Sequence, residues 1–351
     1  MHDDVITQLR MPLLSTEDQA LIAENAFQVA RSEAPVSRFR ALRDAGQTFD
    51  AALWQKLIDL GWPGMAFPVE QDGLGLTLAE SSLLCEALGS TLAITPLIST
   101  LLAGPLDPDA GAATGAVVAL AWWEPGCQGD IRRVQARVKD GRLTGRKEHV
   151  LDAMAAQSFV VTAWEGDALG LWAVDAAAVE RIPLSRVDSR DAGHVVFTDA
   201  PARRLDATLA DLEASMDAAT AALSAEMLGG MQAAFDLTLS YLKERVQFDQ
   251  PIGSFQALQH RAVDCFIAIE VCRSAVAAAV RQPTPALVSL AKTRANDAYL
   301  KVCHEAIQLH GGIGMTDEHD IGLYLKRARA CSQLLGDSTF HRDRWARLRD
   351  Y

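Results

Sequence analysis

A chain of 351 residues, almost half of them hydrophobic, is too long for one ordinary core and suits two or three domains with a charged outer surface. Its formal net charge of -12 excludes the basic face of a nucleic-acid protein. It leaves room for a phosphate ligand, which single arginines or backbone amides can hold on an acidic protein. The six cysteines (Cys85, Cys127, Cys265, Cys272, Cys303, Cys331) are scattered, with no CxxC pair and no Cys/His cluster at ligand spacing. That pattern argues against zinc and for structural thiols in a reducing cytoplasm.

The opening Met1-His2-Asp3-Asp4 is acidic and lacks the basic and apolar regions of a secretory signal. Ser15 with Asp18 suggests an N-cap pair for a helix over Ala20–Ala30, and a second helix covers about 50–60. A Gly-rich turn at 70–75 precedes a third helix over 77–88. The uncharged stretch 87–106 contains Gly89, Pro96, Gly104 and Pro105, so it reads as a buried helix end followed by a loop, not as a membrane span.

The middle of the chain changes period. Val117–Trp122 is a strand candidate, and Asp140-Gly141 within 134–144 is a hairpin signal. Further strands fit 159–163, 169–174 and 195–198, a spacing that predicts a small β-barrel or sandwich over 111–205. From about 206 the pattern is helical again. Met216, Leu223, Met227, Met231, Phe235 and Leu242 fall on one long segment. Asp249-Gln250-Pro251-Ile252-Gly253 ends it, and helices follow over 254–281, 286–310 and 320–335, enough for a four-helix bundle. The expected domains are thus helical (1–110), β (111–205) and helical bundle (206–351).

Four motifs occur in this order. They are Leu60-Gly61-Trp62 through Pro68, Glu70, Gly73 and Gly75; Glu124-Pro125-Gly126; Arg245-Val246-Gln247-Phe248-Asp249-Gln250-Pro251-Ile252-Gly253-Ser254-Phe255-Gln256; and Gln308-Leu309-His310-Gly311-Gly312-Ile313-Gly314 with Glu318-His319. Together they resemble the acyl-CoA dehydrogenase family over nearly the whole chain, the last two motifs being the specific ones. The resemblance implies an α+β fold of three parts and FAD as cofactor. The implied reaction removes two hydrogens from an acyl-CoA thioester, a carboxylate base taking the α-proton and the flavin the β-hydride, with electrons passing to an electron-transfer flavoprotein. In that family the flavin ring lies in one subunit while a neighbour's bundle holds the ADP half.

By the same resemblance Arg245 contacts the FAD diphosphate, where a guanidinium can make two charge-assisted hydrogen bonds. A cation completing the helix dipole is its other reading. Phe248, Ile252 and Phe255 match apolar positions beside the same half of the cofactor. Gln308, Gly311 and Gly312 match the second ADP-side patch, where a plain helix C-cap is the alternative. On the ring side the chain departs from the family: Trp123, Gly129, His149 and Leu151 stand where the family has polar or covering side chains. It departs at the base too. The usual Glu position is Leu335, and the minority position on the first bundle helix is Ala219. Glu226 lies seven residues past Ala219, about 10 Å along the helix, and is a weak candidate. Asp337 suits an N-cap better. His310 and His319 read as structural, and Gly73-Leu74-Gly75 is too short for a dinucleotide fingerprint.

Two versions of the dehydrogenase follow: a complete homomeric enzyme with a relocated base, or the base-free partner of a Glu-bearing homologue in a mixed tetramer, as in the branch acting on steroid-type acyl-CoA. A scaffold that has lost its cofactor, and a related flavin oxidase or monooxygenase, are the alternatives. No metal, nucleic acid or membrane span is expected, and the cytoplasm is the expected compartment.

Overall fold

The computed structural model describes residues 16–127 and 129–351, so the readings of the first four residues and of Ser15 lie outside it. The helical first part comprises α1 (Glu17–Glu33), α2 (Val36–Asp44), α3 (Ala51–Asp59), α4 (Leu78–Ser90) and α5 (Leu97–Ala103). Thr16 caps α1, its hydroxyl accepting from the Gln19 amide at 3.1 Å. The stretch 87–106, expected to run from a helix end into a loop, holds the fully buried helix α5. Pro96 begins that helix rather than breaking it, as proline can where the orphan amide is not needed.

The β-region holds β1 (Val118–Ala121), β2 (Arg137–Lys139), β3 (Arg142–Leu151), β4 (Ser158–Glu165), β5 (Ala168–Asp175), β6 (Glu180–Pro183), β7 (Ala192–Pro201) and β8 (Arg203–Arg204). They make one sheet in the order β6-β7-β3-β2-β4-β5-β8, with β1 parallel to β4. Among the described residues β6 and β8 stand at the two ends of this order, within the region expected to be a β-barrel or sandwich. Strand β4 is buried on both faces over Phe159–Ala163, which explains why it reads as a continuous apolar run. Asp140-Gly141 forms the anticipated turn, both residues at positive φ, with Lys139 paired to Arg142.

Beyond the sheet come α6 (Leu209–Glu244), the short hairpin of β9 (Val246–Gln247) and β10 (Gln250–Pro251), α7 (Gln256–Arg281), α8 (Pro285–His310), α9 (Ile321–Cys331) and α10 (Ser338–Leu348). Helix α9 stops four residues before Leu335, the expected end, because the Lys292 ammonium takes the Cys331 carbonyl at 2.8 Å. Asp337 is the N-cap of α10, accepting from the Phe340 amide at 2.8 Å.

Compactness divides the chain differently from secondary-structure content. One unit gathers residues up to Ala41, Leu78–Ala93 and Thr220–Tyr351; the other gathers Leu42–Thr77 and Ile94–Ala219. The first unit is organised by a crossing of α4 and α6. A Cβ added to Gly89 would land on the Glu226 carbonyl oxygen, and one added to Gly229 on the Glu86 carbonyl oxygen. The crossing segments repeat a pattern: Glu86-Ala87-Leu88-Gly89 on one helix, Glu226-Met227-Leu228-Gly229 on the other. Each glutamate is tied by an arginine from a third helix: Glu86 to Arg273 at 2.9 Å, and Glu226 to Arg327 at 3.4 Å. All six cysteines are buried and none is joined to another by a disulfide.

Gly229→Ala should lower stability by about 1–3 kcal/mol, because backbone cannot move aside for a methyl group as a side chain can. Gly312→Ala, whose Cβ meets nothing within 4 Å, should change stability by less than about 0.5 kcal/mol. Thermal unfolding of the two variants checks the contrast.

Candidate functional site

The first motif begins one residue beyond α6. The Arg245 amide still donates to the Tyr241 carbonyl at 2.9 Å, so the helix geometry carries to Arg245 and fixes its direction. Phe248 and Asp249 then turn the chain, both at positive φ (54° and 62°), between paired Gln247 and Gln250. A bulky residue in the left-handed region is strained. The strain is held by the pairing of β9 with β10, by the Ile252 amide on the Arg245 carbonyl at 2.8 Å, and by Gly253 lying against the Leu242 backbone. Its result is that Phe248 projects outward, 86% exposed, with Phe255 edge-on at 6.1 Å. The Arg245 side chain is exposed and has no carboxylate partner among the described residues.

The second motif ends α8. Gly311 takes a φ of 65°, and a Cβ at Gly311 or Gly312 would meet nothing within 4 Å, so open space adjoins this backbone. Gln308 is exposed one turn earlier. The two motifs are brought together by three rings: Tyr241 stacks on His310 with centroids 4.5 Å apart, and His310 meets His319 at 4.4 Å. Exposed Val246, Phe248, Ile313 and Met315 surround this place, and exposed Val263, Phe266, Ile267 and Val271 form a stripe along α7. These features suit an adenosine diphosphate: an exposed guanidinium for phosphate, open glycine backbone at the end of α8, and exposed apolar side chains for a flat group.

In the other unit the ring-side positions have their own order. Between the pairs Lys147–Val195 and Val150–Gly193, Glu148 and His149 of β3 oppose the single residue His194 of β7, a bulge that puts His149 at a φ of 55°. His149 packs edge-on against Trp123 at 5.1 Å and against His194 at 5.6 Å. Beside Trp123, Glu124 is buried and accepts from the Gln135 and Ala136 amides at 2.6 and 3.1 Å and from Lys147 at 2.6 Å. The fully buried Lys147 also donates to the Thr162 hydroxyl at 3.0 Å. Burial pushes its ammonium down to about 8, against the pull of Glu124. Gly129 stands at a φ of 81° with open space beside it.

The two positions that the resemblance marks for a base hold no carboxylate. Ala219 is fully buried, and Leu335 sits at a φ of 58° in the turn after α9. That turn is held firmly: Lys292 donates to the Gly336 carbonyl at 3.2 Å as well as to Cys331 and Asn296, and the His341 Nε2–H donates to the Leu335 carbonyl at 2.9 Å. Burial pushes the His341 imidazole down to about 4, so it remains neutral in this role. The Glu226 carboxylate faces Arg327, which also donates to the Leu92 carbonyl at 3.1 Å and lies over the Phe39 ring.

A model of the acyl-CoA dehydrogenase N-terminal domain matches residues 16–107, and one of the C-terminal domain matches 210–348. The acyl-CoA dehydrogenase IpdE2 of Mycolicibacterium smegmatis is 32% identical over 322 residues, covering 92% of this chain and 95% of that protein. The chain belongs to the acyl-CoA dehydrogenase family. Among solved structures it is similar to the Tcur3481-Tcur3483 steroid ACAD (31% identity, TM-score 0.84, 95% and 98% of the two chains). It is also similar to the ChsE4-ChsE5 complex of Mycobacterium tuberculosis (26%, TM-score 0.87, 97% and 99%). The three-part fold, FAD as cofactor and dehydrogenation of acyl-CoA at a CH–CH bond therefore hold for this chain as family properties. Among the described residues no helix is long and apolar enough to cross a membrane.

Lys147 and Arg327 escaped the sequence reading. Both carried a signal: Lys147 occupies an inward position of β3 in line with Leu143, and Arg327 lies on the buried stripe of Ile321, Tyr324, Ala328 and Cys331. A cation on a buried face needs a partner. Lys147→Met should cost about 3–5 kcal/mol, since Glu124 is left buried and uncompensated. Adding Glu124→Gln should recover most of the loss; denaturation of the single and double variants measures it.

Proposed function

We propose that this chain is the base-lacking subunit of a mixed acyl-CoA dehydrogenase oligomer, lending its ADP half-site to FAD whose ring lies in a Glu-bearing homologous subunit. One observation carries this reading: exposed, unpaired Arg245 and strained, outward Phe248 stand ready for a ligand, while the residues of the chain's own reaction centre are absent or engaged. Ala219 and Leu335 cannot take a proton, and Glu226 is held by Arg327. Trp123 leans on His149, and in that place it would exclude a flavin ring. The similar Tcur3481-Tcur3483 steroid ACAD and ChsE4-ChsE5 complex each pair two differently named chains, which supports a mixed oligomer such as a heterotetramer, and the first supports a steroid-type acyl-CoA.

In this reading Arg245 holds the diphosphate through two charge-assisted hydrogen bonds. Phe248, Ile252 and Phe255 cover its apolar flank, while Gln308 and the open backbone of Gly311 and Gly312 receive the remaining polar atoms. The exposed apolar residues around Phe248 and along α7 are the surface on which the partner sits. FAD, when bound, supplies the acceptor for the β-hydride, and an electron-transfer flavoprotein takes the electrons onward. The partner supplies the carboxylate for the α-proton, a general base being worth about 10²–10⁴-fold. The cytoplasm is the compartment that suits this chemistry and the free thiols.

Expressed alone and given FAD, the chain should show no flavin bleaching with acyl-CoA thioesters, steroid-type ones included. With the partner it should bleach rapidly at one FAD per pair of chains. Fast bleaching by the lone chain, abolished in Glu226→Gln, would overturn the proposal and name the base. Arg245→Ala should lower FAD affinity of the assembled oligomer roughly ten- to a hundredfold; unchanged retention would remove the half-site.

A further inference from the structure

The three-ring stack beneath the cofactor motifs has a feature that packing alone leaves unexplained. His310 is buried, and its Nδ1–H donates to the Ala306 carbonyl at 2.7 Å, one turn back on α8. Its Nε2 is therefore an acceptor, is buried, and has no hydrogen-bond partner. Nitrogen without a partner is tolerable for a neutral ring stacked on Tyr241, where it leaves only a weak acceptor unsatisfied. It becomes costly once a proton is added, because a charged N–H would then be buried without an acceptor. A second cost comes from His319, whose ring centre lies 4.4 Å away. The His319 Nδ1 already accepts from the Ile321 amide at 3.2 Å, so it cannot relieve His310 by that atom.

The stack also has a definite place in the chain. Tyr241 is the residue whose carbonyl takes the Arg245 amide, His310 immediately precedes Gly311-Gly312, and His319 follows the turn that the second motif begins. The rings thus join the end of α6, which aims Arg245, to the end of α8, which presents the glycines. We infer that Tyr241, His310 and His319 form a clamp that keeps the two ADP-side motifs in register, and that it closes only while His310 is uncharged, so affinity for FAD falls in acid. This rests on the half-site reading of Arg245 given above.

The groups acting on His310 can be named from each side. Burial lowers its proton affinity first; the Ala306 carbonyl of its own helix works weakly the other way, and the His319 imidazole lowers it again. Tyr241 presents its ring from α6. Of the carboxylates nearest in sequence to His319, Glu318 is exposed, while Asp320 and Asp317 are engaged by Arg40 at 2.6 and 3.2 Å, Asp317 also by Lys326. Because the folded arrangement holds His310 below its ordinary range, the clamp is complete above that range and is lost as pH falls through and beneath it. His310 and Tyr241 are positioning residues: they act on the cofactor through Arg245 and Gly312.

The test is FAD affinity of the full-length chain in its native oligomer, followed by flavin fluorescence from about pH 8 to about pH 5. Wild-type affinity should fall roughly tenfold across this range. His310→Phe, which keeps a stacking ring and cannot be protonated, should bind as wild type at the upper end and show a flat profile. His310→Ala and Tyr241→Leu, which open the stack, should bind up to about tenfold more weakly even at the upper end. An acid loss in His310→Phe equal to that of wild type would overturn the inference, as would wild-type affinity in both stack-opening variants. Arg245→Ala separates this from the underlying reading: if it weakens FAD while the His310 variants behave as wild type, the half-site stands and the clamp fails. If Arg245→Ala changes nothing, both fall.

Discussion

The contact of α4 with α6 at Gly89 and Gly229 constrains the helical unit more than any other feature. Two helices touch backbone to backbone there, and every methyl-bearing residue is excluded at both glycines. So close an approach buries two glutamate-bearing segments together, and their carboxylates must be neutralised from outside the pair. Arg273 and Arg327 do this from α7 and α9, and each brings its own helix into place. The Arg273 guanidinium also donates to the Gln232 side chain at 2.9 Å and Arg327 to the Leu92 carbonyl, so both link three segments. A glutamate that might have been chemistry is, in this setting, the counter-ion that a tight crossing requires.

The same use of buried charge recurs where the family places its reacting groups. Lys147 anchors the Glu124 loop, and Lys292 anchors the turn of Leu335 and Gly336. An ammonium has three donors, enough to gather several carbonyl or carboxylate oxygens at once. Both loops are consequently tied to their own unit by hydrogen bonds from a buried ammonium. The turn at Leu335, where the resemblance to the family places a base, is therefore formed and its strained φ is maintained, with an apolar side chain in place of a carboxylate.

How legible this was in the sequence depended on the kind of signal. The Asp140-Gly141 turn and the end of α6 were readable because glycine, proline and aspartate impose local backbone states whatever surrounds them. The run through Leu97–Ala103 was not, since an uncharged apolar segment beside Pro96 fits a buried loop as well as a buried helix. The order of strands in the sheet was equally out of reach, because alternation reports which faces are buried and not which edges meet. The residues of the ADP side could be placed by resemblance, but their exposure and the ring stack joining them are tertiary facts. Nothing in the spacing of Tyr241, His310 and His319 predicts that they touch.

The ADP-side surface and the Trp123 surface differ in a way that bears on assembly. Around Phe248 the molecule holds strain and exposes apolar side chains, both costly in a lone chain, while the exposed Arg245 guanidinium is hydrated and open to an anion. Around Trp123 the aromatic and imidazole groups have contacts with each other, and Glu124 is fully hydrogen-bonded within its own unit. The Trp123 side carries costs too, since His149 sits at a φ of 55° and the buried His194 Nδ1 has no hydrogen-bond partner, so what sets the two places apart is the exposed apolar area around Phe248. Exposed apolar area beside an open cation is the feature on which the proposed half-site rests, because water alone cannot satisfy the apolar part.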